Sequence, residues 1–110
     1  MTRRKAAHYS VYVVELDPSV LERQRFAERN PHYRAGKPCV YVGMTGLAPE
    51  RRFANHKRGY KANRYVRDYG WHLRPDLYPD GSPFSYREAQ SVERDVAREL
   101  RAIGYAVWQE

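Results

Sequence analysis

Residues Ser85 to Ile103 spell one long amphipathic helix, and that segment limits the architectures open to the chain more than any other. Ser85 with Glu88 three residues on forms a capping box, in which each residue satisfies a backbone N–H left over by the first helical turn. Ala89, Val92, Val96, Leu100 and Ile103 recur at helical spacing as one apolar stripe, and Gly104 supplies a residue that can turn the chain out of the helix. Such a stripe needs a surface to cover. His8 to Leu16 reads HYSVYVVEL and Cys39 to Gly43 reads CVYVG. Both predict strands, the first of them central, and the two are expected to pair as neighbours.

The remaining segments fill in around them. Asp17-Pro18 offers an N-cap and a first-turn proline, Ser19 to Arg29 a short helix ended by Asn30-Pro31, and His32 to Pro38 a loop. Met44 to Ala48 reads as a turn, and Pro49 opens a helix to about Arg58 that Gly59 ends. Ala62 to Tyr69 predicts a further helix stopped by Gly70. Trp71 to Tyr78 reads either as a short strand or as an extended segment broken by Pro75, and Pro79-Asp-Gly-Ser-Pro83 as a turn cluster. Tyr105 to Trp108 predicts a last short strand. The fold class expected is α/β, a small mixed or antiparallel sheet of about three strands covered by helices. At 110 residues the chain has room for one core, so it reads as a single domain.

Charge narrows the partners. Twenty Lys and Arg against thirteen Asp and Glu give +7, a balance that suits nucleic acid, an anionic membrane surface or an acidic protein. The single cysteine, Cys39, rules out an intramolecular disulfide and a cysteine-rich zinc site, and beside its apolar run it is expected to pack as a small hydrophobe. No apolar stretch approaches the roughly 20 residues that span a bilayer. The start, Met1-Thr-Arg-Arg-Lys5, is basic without a following apolar segment of signal-peptide type, so the expected location is the cytoplasm, with no membrane partner.

Four pieces of sequence, in order, resemble the GIY-YIG nucleases. Ser10-Val11-Tyr12 stands where that family has Gly-Ile-Tyr, and Tyr41-Val42-Gly43 where it has Tyr-Ile-Gly. Arg52-Phe53-Ala54-Asn55-His56 looks like its Arg-aromatic-x-x-His segment, and Glu93 like its metal-binding glutamate. The resemblance runs from about residue 8 to 108. Three departures accompany it. Ser10 replaces the first glycine, a small change that a strand tolerates. The connection from Tyr12 to Tyr41 is longer than the family's usual hairpin, an insertion at about 17–38. The asparagine that many members carry near the end is absent, with Gly104-Tyr-Ala-Val-Trp108 in its place.

The resemblance implies a divalent-metal-dependent endonuclease that hydrolyses DNA phosphodiester bonds, with Mg²⁺ or Mn²⁺ on Glu93. Tyr12 would help to activate the attacking water, Tyr41 would position water or phosphate, and Arg52 would meet charge building on the phosphate. His56 would complete the catalytic set, while Ser10 and Gly43 would shape the backbone. The chemistry is coherent, because a guanidinium fork matches phosphate oxygens and a carboxylate suits a hard cation. A phenol of ordinary pKa, about 10, needs nearby positive charge to act as a base. Each residue also has a plainer reading. Tyr12 and Tyr41 read equally as strand aromatics half in the core, and Gly43 as a strand terminator. Arg52 and His56, four apart, read as one solvated helix face. Glu93, at the margin of the apolar stripe as Glu99 is at the other, reads as an ion-pair partner on its own helix.

Arg51, Lys57, Arg58, Lys61, Arg64, Arg67 and Arg74, interleaved with Tyr60, Tyr65 and Tyr69, form the expected nucleic-acid track. Cations there would bind phosphates and tyrosines would stack on unpaired bases; the plainer reading is a solvated basic face with core-facing tyrosines. The expected partner is DNA, with RNA open, and the expected state a monomer or homodimer. The rival functions are a catalytically inactive nucleic-acid-binding module on the same fold and a basic protein–protein adaptor.

Overall fold

The structure is a computed structural model describing residues 7–110, so the basic start Met1 to Lys5 lies outside the described residues. The first Val/Tyr run forms β1 (Ser10–Leu16) and the second forms β2 (Cys39–Thr45), and the two pair antiparallel with Tyr12 opposite Gly43. β2 is two residues longer than its sequence suggests. Met44 and Thr45 continue the ladder opposite Val11 and Ser10, and the turn begins where the Thr45 Oγ1 accepts the Leu47 N–H. The ambiguous segment divides. β3 (Gly70–Leu73) adds antiparallel to the free edge of β1, and Pro75 to Leu77 then form a single 3-10 turn. β4 (Ala106–Gln109) joins the other edge, parallel to β2. The sheet is therefore mixed, with four strands in the order β3-β1-β2-β4 rather than about three.

Both faces of the sheet are covered, which explains why β1 and β2 read as unbroken apolar runs instead of alternating ones. Val11, Val13, Val40, Val42 and Val107 meet Ala89, Val96, Ala97 and Leu100 on one side. Tyr12, Val14, Leu16, Cys39 and Tyr41 meet Val20, Phe26, Tyr65 and Val66 on the other. Cys39 packs as a small apolar group, and burial pushes its thiol up to about 11, which leaves it inert.

Among the described residues four α-helices supply these layers: α1 (Gln24–Glu28), α2 (Pro49–Lys57), α3 (Arg64–Tyr69) and α4 (Tyr86–Ala102). The capping box at Ser85 and Glu88 is present, and Gly104 leaves α4 at φ +98°. Ile103 does not join the stripe. It is 50% exposed, because the helix has already begun to unwind around it. α3 is two residues shorter than expected, since the Asn63 side chain caps it by accepting the Tyr65 and Val66 N–H groups. The Lys57 ammonium closes its other end, donating to the carbonyls of Arg67 at 3.0 Å and Gly70 at 3.1 Å.

The insertion is ordered, but it is not one helix. Pro18–Glu22 is a 3-10 turn and α1 follows, with Arg23 extended between them at φ −81° and ψ 118°. Val20 and Phe26 are six residues apart, about 120° from each other on a continuous helix, and only the break lets both reach the core. After α1 the buried Asn30 covers the outer edge of β4. Its Oδ1 accepts the Val107 N–H at 2.7 Å, and its Nδ2 donates to the carbonyls of Val107 and Phe26 at 3.1 and 2.8 Å. One side-chain amide thus satisfies strand groups that an open edge would leave unpaired.

Asn30→Ala strands the Val107 N–H in a buried place, while Arg101 still bonds the Val107 carbonyl, and is expected to destabilise the protein by roughly 1–3 kcal/mol. Urea unfolding of wild type and variant measures this; equal midpoints would show that the edge closes without Asn30.

Candidate active site

The even-numbered side chains of β1 and the odd-numbered ones of β2 share a face, and on it Tyr12, Tyr41 and His56 come together. Gly43 makes the arrangement possible. A methyl group there would lie 2.6 Å from the Tyr41 ring and 2.9 Å from the hydroxyl oxygens of both Tyr12 and Tyr41, so the two phenols converge over the glycine that faces Tyr12 across the ladder. Ser10 sits half-buried on the same face, opposite Thr45. Its place near the end of the strand suits a small residue and needs no glycine.

His56, fully buried on α2, contacts both rings at centroid distances of 6.2 Å to Tyr12 and 5.6 Å to Tyr41. Its two nitrogens have distinct partners. Nδ1 accepts the Asn63 backbone N–H at 3.0 Å and so carries no proton, while Nε2 lies 2.8 Å from the Tyr12 hydroxyl. The ring proton of the neutral imidazole is therefore on Nε2 and is donated to Tyr12. Burial, reinforced by the Arg52 charge, pushes His56 down to about 4, so the ring stays neutral at ordinary pH. Tyr12 accepts from His56 and keeps its own hydroxyl proton for another partner.

Burial pushes the Tyr12 hydroxyl up to about 12 even though Arg52 pulls it down. Burial raises Tyr41 further, and neighbouring Tyr12 adds to the rise. Neither phenol ionises near neutrality without additional positive charge. Arg52, one turn before His56, is half-buried and donates to the carbonyls of Lys61 at 2.9 Å and Tyr60 at 3.5 Å. These bonds fix the guanidinium where its charge bears on both Tyr12 and His56.

Glu93 stands apart from this group. It is buried on α4, which covers the opposite face of the sheet. It opens on a cleft of ≈ 450 Å³ bounded by Thr45, Gly46, Gln109 and Glu110, at the end of β2 beyond Gly43. Gln109 donates to its Oε1 at 2.9 Å, while Oε2 is buried without a hydrogen-bond partner, a condition that among the described residues it shares only with the Tyr78 hydroxyl. The ion pair on its own helix is therefore not formed. Burial pushes the carboxyl up to about 7, against the pull of Gln109. After burial and Tyr12, the charges of Glu110 and then of Glu93, which share this cleft, also raise Tyr41 and couple the two halves of the candidate site.

A divalent ion suits this carboxyl. Oε2 is an uncommitted hard donor, and the adjoining cleft has room for the waters that a single-carboxylate Mg²⁺ or Mn²⁺ site requires. Among the described residues no three His, Cys, Asp or Glu gather into a fuller cage, so Glu93 would be the main protein ligand.

The basic face is divided as well. Arg51, Arg58, Lys61, Arg64 and Arg67 are exposed, with Arg58 and Lys61 held 5.7 and 5.5 Å from the centre of the exposed Tyr60 ring. Arg67 pairs with Asp68 at 2.8 Å. Lys57 spends its donors on the end of α3, and Arg74 pairs with Glu15 at 2.7 Å and Asp76 at 2.8 Å. Tyr65 is buried in the core, and Tyr69 is half-buried beneath a 2.6 Å bond from Arg23, so only Tyr60 of the three tyrosines offers an open face for stacking.

Asn63 and Gln109 are site residues that sequence reasoning passed over. Asn63 carried a readable signal, a capping residue directly before a helix. Gln109 carried none, because its meeting with Glu93 follows from the parallel pairing of β4 with β2. No protein-family model matches the chain, and no curated protein or solved structure matches it either.

The Glu93 carboxyl binds its proton more tightly folded than unfolded, rising from 4.5 to about 7. Stability therefore falls as pH rises from about 4.5 to 7 and stays low above that. Without divalent ions, Glu93→Gln is expected to be more stable than wild type at pH 8, by up to about 3 kcal/mol, and equal to it at pH 4. Thermal unfolding at the two pH values checks this; parallel behaviour at both would show that Glu93 ionises freely.

Proposed function

We propose that the chain is a divalent-metal-dependent endonuclease of the GIY-YIG type that hydrolyses DNA phosphodiester bonds. The observation that carries this reading is the convergence of the Tyr12 and Tyr41 hydroxyls over Gly43, beside a neutral His56 and the Arg52 charge. Residues far apart in the sequence, and resembling that family's motifs, meet at one place. Nothing in the packing of a simple core requires two phenols to share the space over a glycine.

The residues divide the work as follows. Tyr12 first loses its own hydroxyl proton to solvent; the phenolate, held by the His56 Nε2–H that donates to its oxygen, then takes the proton of the attacking water and returns to phenol. Arg52 steadies the phenolate and the phosphate oxygens together. Tyr41, which titrates higher than Tyr12, stays protonated and donates to phosphate or water. Glu93 holds the ion in the cleft beyond Gly43. When bound there, Mg²⁺ or Mn²⁺ supplies Lewis-acid stabilisation of charge on the phosphate and the leaving oxygen. The exposed cations Arg51, Arg58, Lys61, Arg64 and Arg67 hold the backbone of the substrate without reading its sequence.

An inactive nucleic-acid-binding module on this scaffold is the second reading, and a specific observation favours it. Both phenols lie above their ordinary range, and Arg52 already spends donors on the Tyr60 and Lys61 carbonyls. A site that never forms phenolate would tolerate both.

Supercoiled-plasmid nicking in Mg²⁺, Mn²⁺ or EDTA separates the two. The expected result is metal-dependent nicking that falls by about 10²-fold or more in Tyr12→Phe, Arg52→Ala and Glu93→Ala. Nicking that survives all three substitutions refutes the assignment. No nicking in any metal, with tight salt-sensitive binding, replaces it with the binding module.

A further inference from the structure

A further pocket lies away from these residues, in the angle between the insertion and the end of α4. It measures ≈ 590 Å³, within the range of small-ligand sites. Arg101 on α4 is eight residues beyond Glu93, about 12 Å along the helix, so the pocket and the Glu93 cleft are separate.

Three arginines line the pocket, Arg29, Arg34 and Arg101, and among the described residues none of them pairs with a carboxylate. Each is held in place. The Arg101 Nε donates to the Asn30 Oδ1 at 3.2 Å and its Nη2 to the Val107 carbonyl at 2.7 Å, which leaves Nη1 uncommitted. The Arg34 N–H donates to the Gly104 carbonyl at 2.9 Å, and its side chain lies across Gly104 so closely that a methyl group there would be 2.7 Å from Cδ. Arg29 rests 4.7 Å from the centre of the Trp108 ring. Burial, and after it the Arg29 charge, work against the charged form of Arg101. Half-buried Tyr33 and Tyr105 add aromatic walls, and Tyr33 is anchored by a 2.6 Å bond to the Lys37 carbonyl.

We propose that this pocket binds a nucleotide, its phosphate held by Arg29, Arg34 and Arg101 and its base laid against Tyr33 and Tyr105. Guanidinium forks match phosphate oxygens in pairs, and tyrosine faces stack on any base. The buried Asn30 ties the insertion to β4, so the walls are preformed and binding need not order a loop. The nucleotide arrives either free or as the phosphorylated end of a strand, with the same chemistry.

Calorimetric titration with deoxyadenosine monophosphate at low salt tests the site. Saturable binding is expected, at least tenfold weaker in the Arg29→Ala/Arg34→Ala double variant and within twofold of wild type in Arg98→Ala. Both arginines are exposed, and a matching circular-dichroism melt shows that the double variant folds. Deoxyadenosine, lacking the phosphate, is expected to bind at least tenfold more weakly. Displacement of the nucleotide by a 5′-phosphorylated single strand, and not by the same strand without its phosphate, assigns the site to strand ends. Displacement by neither assigns it to free nucleotide. No binding at millimolar concentration, unchanged affinity in the folded double variant, or equal binding of deoxyadenosine overturns the proposal. None of these readouts needs metal or cleavage, so their failure leaves the nuclease reading where it stands.

Discussion

The antiparallel register that sets Gly43 opposite Tyr12 is the constraint on which the rest of the molecule depends. Side chains alternate between the faces of a strand, so a slip of one residue between β1 and β2 would put Tyr12 and Tyr41 on opposite faces of the sheet. With the register fixed, the two phenols meet over the glycine, and His56 closes the group from above. The His56 ring is in turn aimed by the backbone of Asn63, the residue that caps α3. A helix cap, a histidine tautomer and a tyrosine hydrogen bond thus form one chain of cause. Lys57 holds the far end of α3 and so steadies the same unit.

Electrostatics divides the molecule into two regions with opposite needs. The tyrosine cluster is buried, uncharged and resistant to ionisation, while Glu93 is a buried carboxyl with an oxygen that nothing satisfies. The two are coupled by charge, since Glu110 and Glu93, which line one cleft, both bear on Tyr41. A cation beside Glu93 relieves its desolvation and makes phenolate formation less costly at the tyrosines. The proposed chemistry depends on that coupling, and the stability of the free protein at neutral pH carries its cost.

Much of this was legible in the residues, and the legible part was the local part. The capping box and stripe fixed α4, and the two Val/Tyr runs fixed β1 and β2, because each signal lies within a few residues of the structure it makes. The strand Gly70–Leu73 was legible only as one of two readings of Trp71 to Tyr78, since it is a strand by virtue of the β1 edge it completes. The break at Arg23 escaped for the same reason: local propensity favours one helix, and only the demand that Val20 and Phe26 both be buried splits it. Tyr12, Tyr41, Arg52 and His56 were placed together by a resemblance in sequence. No reading of composition would have separated exposed Tyr60 from buried Tyr65, or shown Lys57 and Arg74 already committed. Asn30 read only as part of the Asn30-Pro31 stop to a short helix, yet through it the insertion finishes the edge of the sheet.

The most direct measurement is a crystal structure of the protein with a phosphorothioate DNA duplex and Mn²⁺, with the metal located by its anomalous scattering. The expected result is manganese on the Glu93 carboxylate, with a backbone phosphate in reach of Arg52 and of the Tyr12 and Tyr41 hydroxyls. Manganese bound elsewhere, or a duplex seated away from Gly43, would contradict the proposed active site.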